Sequence, residues 1–75
     1  MNEELIITQL EKMSASEQWA WIVSNDLKND ITIELDNDTT YIKFENDYVT
    51  LKSDLGNREG VTHLLEALGI KVTGV

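Results

Sequence analysis

Seventy-five residues suffice for one small domain with a single core and leave no room for a second. Fourteen acidic residues against six basic ones give a net charge of -8, which repels phosphate backbones and anionic head groups and argues against direct nucleic-acid or membrane-surface binding. Cysteine is absent, so neither a disulfide nor a thiolate metal site can supplement the core, and no stretch approaches the roughly 20 apolar residues of a membrane span.

The chain opens MNEELIITQL, with acids where a secretory leader carries Lys or Arg, so a targeting peptide is not expected and the expected location is cytoplasmic. Proline is absent and there are only four glycines, which predicts order nearly end to end. Within the first segment Ile6, Leu10 and Met13 recur at helical spacing with Leu5 and Ile7 beside them, and Glu3 and Glu4 stand where a helix start favours negative charge. This predicts a first helix over 3–12. Ser14-Ala15-Ser16-Glu17 reads as a capping box, the Ser14 hydroxyl accepting from the Glu17 amide while the Glu17 carboxylate reaches back. A second helix then runs to about Leu27. Its expected buried stripe is Trp19, Ala20, Ile22, Val23 and Leu27, with Glu17, Ser24, Asn25 and Lys28 opposite and Trp21 on the polar side.

Residues 31–52, ITIELDNDTTYIKFENDYVTLK, are three alternating runs separated by Asp/Asn-rich turns, the pattern of a three-stranded antiparallel meander. A two-residue turn at Asn46-Asp47 pairs Glu45 with Tyr48, Phe44 with Val49, Lys43 with Thr50, Ile42 with Leu51 and Tyr41 with Lys52. In the first hairpin a loop over 36–39 sets Ile33 opposite Ile42, whereas a loop over 36–40 mismatches the faces unless a bulge restores phase. One face therefore collects Ile31, Ile33, Leu35, Ile42, Phe44, Val49 and Leu51. The other collects Thr32, Glu34, Tyr41, Lys43, Glu45, Tyr48, Thr50 and Lys52.

Beyond Leu55-Gly56, Asn57 is a candidate cap for a third helix whose stripe is Val61, Leu64, Leu65 and Leu68. Gly69 ends it, and Ile70 folds back toward Leu65 as in a Schellman cap. Ile70-Lys71-Val72-Thr73 reads as a short fourth strand that either joins the sheet beside the third strand or leaves that edge free. The expected fold class is α+β, in the order α-α-β-β-β-α-β, with the helices packed on one face of the sheet.

The chemistry-bearing residues are few. His63 is the only histidine, flanked at helical spacing by Glu59 and Glu66, an arrangement far commoner on a solvated surface than in a metal or acid-base site. Asp36-Asn37-Asp38-Thr39-Thr40-Tyr41 imitates the start of a calcium loop, but Tyr41 stands where glycine is needed and Asp47 where a bidentate Glu belongs. The run is read as a hairpin turn. Glu34 and Glu45 fall on the solvent face, where water keeps a carboxylate near its ordinary pKa, and no GxGxxG, P-loop or GxSxG run occurs. The sequence reads as a non-enzyme with no cofactor and no metal.

What remains is surface. Trp21, Tyr41 and Tyr48 are expected to be partly exposed and ringed by charge, the composition of a protein-contact hot spot. Between Asp26 and Asp54 eight acids face three lysines, and Asp30, Glu34, Asp36, Asp38, Glu45 and Asp47 define an expected electronegative flank, the plainer reading of which is solubility. The leading expectation is a protein-interaction domain of the size of a small bacterial or phage regulator or accessory factor. Its partner would be another protein, a basic one if the acidic flank takes part, and a sheet edge offers a route to a homodimer. The alternative is an acidic nucleic-acid mimic that occupies a DNA- or RNA-binding protein.

Overall fold

The computed structural model describes residues 3–24, 26, 29–52 and 58–74, with the backbone but not the side chain of Arg58. Expectations placed on Asn25, Leu27, Lys28, Asp54, Leu55, Gly56 and Asn57 lie outside the described residues. The elements follow the expected order: α1 (Glu3–Lys12), α2 (Ala15–Ser24), β1 (Thr32–Asp36), β2 (Thr39–Lys43), β3 (Tyr48–Thr50), α3 (Arg58–Ala67) and β4 (Lys71–Thr73). They form a compact α+β domain with a four-stranded mixed sheet in the order β3-β2-β1-β4.

Both helix-end devices form. The Ser14 N–H donates to Glu17 Oε1 at 3.0 Å and the Glu17 N–H donates to Ser14 Oγ at 3.3 Å, which satisfies two of the amides that a helix start leaves without partners. At the end of α3, Gly69 takes φ 88° and its N–H donates to Glu66 O, while the Ile70 N–H donates to Leu65 O, both at 3.0 Å. That is the two-bond Schellman pattern, and it turns Ile70 into the core beside Leu65.

The alternation in the meander places all seven expected residues inside: Ile31, Ile33, Leu35, Ile42, Phe44, Val49 and Leu51 are buried, clustered with Ile7, Leu10, Ile22, Leu65 and Ile70. Ile33 pairs with Ile42 as the shorter loop required, and pairing continues to Asp36↔Thr39, so Asn37-Asp38 makes a two-residue turn with Asn37 at φ 45°. The second hairpin differs from expectation. Its register is Tyr41↔Thr50, Ile42↔Val49 and Lys43↔Tyr48, two residues from the expected pairing. A two-residue turn at Asn46-Asp47 needs positive φ without glycine, and neither residue adopts it. Instead residues 44–47 form a longer loop in which the Phe44 N–H donates to Asp47 O at 2.8 Å. A slip of two preserves every face, which is why the core prediction survives it.

The helical stripes follow expectation in α1 and depart from it in α3 and α2. In α1 the stripe is Ile6, Ile7, Leu10 and Met13, and Leu5 is exposed. In α3, Leu65 is buried with Val61 and Leu68 beside it, and Leu64 faces solvent. The largest change is in α2, where Gln18 and Ile22 are the fully buried pair, Trp19 and Trp21 flank them, and Ala20 and Val23 are exposed.

Gln18 explains both that rotation and the place of β4. Since Phe44 pairs with Asp47 and Leu51 with Thr40 through their backbones, the polar groups of Tyr48, Thr50 and Lys52 point to the outer edge of β3. The Gln18 amide closes part of that edge: Oε1 accepts the Lys52 N–H at 2.9 Å, and Nε2 donates to Leu10 O at 3.0 Å and to Thr50 O at 3.4 Å. With this edge taken up by the α1–α2 corner, β4 goes to the other side and pairs parallel with β1, Thr32↔Lys71 through Glu34↔Thr73. Of the alternatives offered by the sequence, a place for β4 beside β3 is not taken, and β3 is left as an edge strand that Gln18 covers in part.

Candidate functional site: the helix-free sheet face

With all three helices on the core side, the opposite face of the sheet carries a regular array of side chains. The registers place Lys71, Thr32, Lys43 and Tyr48 in one row and Thr73, Glu34, Tyr41 and Thr50 in the next. Tyr41 and Tyr48 sit on neighbouring strands one step apart diagonally, and their rings meet edge to face with centroids 5.2 Å apart and planes at 86°. Tyr48 is 56% exposed. The Lys43 Nζ stands 3.6 Å from Glu34 Oε1, and the four side chains of Glu34, Tyr41, Lys43 and Tyr48 line a shallow hollow of about 180 Å³.

The array carries Lys43 and Lys71 against Glu34, a slight positive excess in a molecule of net charge -8. The acids expected to form one flank are dispersed. Asp36 and Asp38 lie at the β1–β2 turn, whereas Asp30, Glu45 and Asp47 lie at the other end of the same strands. Four residue steps separate the ends, roughly 13 Å, beyond a Debye length at physiological salt. Glu34, midway, is paired with Lys43.

Trp21 does not join the tyrosines. It is half-buried and packs on Phe44 with centroids 6.2 Å apart and planes at 52°, on the helix-covered side of the sheet. The expectation took no account of Gln18, and turning Gln18 inward carries Trp21, three positions on, inward with it. His63 is exposed on α3. The calcium-like run is strand and turn, with Thr40 buried and Tyr41 on the far face, so its oxygens do not converge. Among the described residues no three His, Cys, Asp or Glu side chains gather closely enough to hold a metal ion, and no helix is long and apolar enough to cross a membrane.

Lys71 and Thr73 belong to this face and were not identified from sequence, because the sequence leaves the partner of β4 undecided. Glu17 is the one described acid whose pKa is clearly displaced, held below its ordinary 4.5 first by the Ser14 backbone N–H and then by the Ser14 hydroxyl. This is helix-cap chemistry at the start of α2. Comparison with protein-family models, curated proteins and solved structures finds no match to this chain.

Proposed function

We propose that the chain is a non-enzymatic protein-contact module, a small regulator or accessory factor of bacterial or phage type, which docks a partner protein on its helix-free sheet face. The observation that carries this reading is the Tyr41–Tyr48 pair: two rings fixed edge to face on rigid strands, with Tyr48 more exposed than covered. Tyrosines held this way offer large contact area at little further cost in side-chain entropy, with threonines and one ion pair around them as a polar rim. The proposed location is the cytoplasm.

The alternative, an acidic decoy acting through Asp30, Glu34, Asp36, Asp38, Glu45 and Asp47, draws less support from carboxylates divided between two ends of the sheet. A homodimer along β4 has only three residues to pair, which favours a contact through the face over one through that edge.

Affinity capture from host lysate tests the proposal, using wild type, Tyr41→Ala and Tyr48→Ala at about 50 mM and about 500 mM salt, conditions that differ threefold in screening length. The expected result is a specific protein retained by wild type at both salts and lost from both variants. Retention by the variants, or loss from wild type at high salt, overturns the tyrosine-centred reading.

A further inference from the structure

The outer edge of β3 is closed only in part. Gln18 takes the Lys52 N–H and reaches Thr50 O, and Asp47 Oδ1 accepts the Tyr48 N–H at 2.8 Å. Two groups remain directed outward between these clamps, the Tyr48 carbonyl and the Thr50 N–H, and among the described residues neither has a partner. Beside them run two adjoining depressions of about 560 and 460 Å³ between α1 and the edge of β3, both bordered by Glu11 and Asp47. Glu4 adds a third carboxylate to the border. The cation there, Lys52, is engaged, its Nζ donating to Glu11 O at 2.8 Å and to Met13 O at 2.7 Å.

From this we infer that the groove between α1 and β3 receives an extended peptide segment bearing lysine or arginine, added as a short strand along the outer edge of β3. The register follows from which groups are free. In a parallel ladder one incoming residue donates to the carbonyl before, and accepts from the amide after, the residue it faces, and Tyr48 O and Thr50 N–H are such a pair about Val49. An antiparallel strand reaches the same two groups through the residues on either side of the one facing Val49, so the free pair fixes the register at Val49 and admits either direction. The charge of the segment follows from its border. Glu4 and Glu11 are exposed and seven positions apart on α1, about 10.5 Å along the helix and about three residues of extended chain. The carboxylates do not converge as a metal site does. The inference rests on the molecule being a protein-contact module and specifies the partner's contacting segment.

Titration of the isotope-labelled full chain with a heptapeptide of alternating lysine and valine, followed by amide NMR at about 50 mM salt, tests it. The expected result is a shift centred on Val49 and Thr50, with Thr50 amide exchange slowed at least about tenfold as it gains a strand partner. The glutamate-valine peptide, and a lysine-valine peptide N-methylated along its bonding edge, should produce neither effect. Glu11→Lys should weaken binding about fivefold to tenfold, one exposed attraction having become a repulsion, and Glu4→Gln serves should that variant misfold. Equal binding of the N-methylated peptide, or an unchanged Thr50 exchange rate at saturation, overturns the inference. An inert peptide alongside successful tyrosine-dependent capture overturns it too and leaves the proposed function standing.

Discussion

Gln18 Oε1, on a side chain that is itself fully buried, accepts the backbone N–H of Lys52 across 34 positions of sequence at 2.9 Å. With Nε2 bound to Leu10 O, one side chain joins the last turn of α1, the start of α2 and the end of the meander. Gln18→Leu keeps the volume approximately but removes all three hydrogen bonds made by a fully buried side chain, so it should cost about 2–4 kcal/mol. Urea unfolding measures the loss. Light scattering should also show more self-association, because the variant exposes more of the β3 edge.

The rotation of α2 yields a contrast between two residues of one helical turn. Trp21→Ala should cost about 2 kcal/mol through its lost packing on Phe44, while Val23→Ser, at an exposed position, should stay within about 0.5 kcal/mol of wild type. Chemical unfolding of the two variants decides whether the helix faces the core as described; equal costs would contradict the orientation.

The meander's faces were legible in the sequence because a period of two, sustained over three runs, leaves each apolar residue one possible side. The register of its second hairpin was not. Pairings two residues apart bury the same side chains, so only the turn could distinguish them, and the backbone preference of Asn46 and Asp47 outweighed the shorter loop. Two helices failed in a different way: Val23 and Leu64 are apolar and were assigned inward, yet a ten-residue helix buries one narrow stripe and must leave some apolar residues outside. A buried glutamine is invisible to hydropathy, since what draws it inside is a set of backbone groups more than thirty residues away. Of the surface candidates, Tyr41 and Tyr48 were legible as a pair because strand alternation placed them together, and Trp21 was misplaced because a helix stripe did not.

The capping box gives a pH prediction. Glu17 titrates below its ordinary 4.5 in the folded chain, because its carboxylate accepts the Ser14 N–H. A depressed folded pKa means that the cap's contribution is complete above the ordinary value and disappears as pH falls through the depressed one. Glu17→Gln should therefore reduce the gap in stability between neutral and acidic solution. Urea midpoints for wild type and variant, compared from pH 7 down to pH 3, check it, and parallel curves would refute it.

Gly69 isolates backbone conformation from packing. At φ 88° nothing lies within 4 Å of the position a Cβ would occupy, so Gly69→Ala meets no steric obstacle and pays only for the left-handed conformation. A loss of about 1 kcal/mol by thermal or urea unfolding is expected. A neutral result would mean that α3 does not end in the conformation described.

Because β4 lies next to β1, the strand made earliest acquires its second neighbour from nearly forty positions downstream. During translation a ribosome-bound chain carrying the hairpins alone would present Ile31, Ile33 and Leu35 on a strand whose outer flank is bare. Sheet closure is thus deferred until residues 71–73 clear the exit tunnel, which makes that interval the window in which a chaperone or a stray strand from another nascent chain competes for the vacant flank.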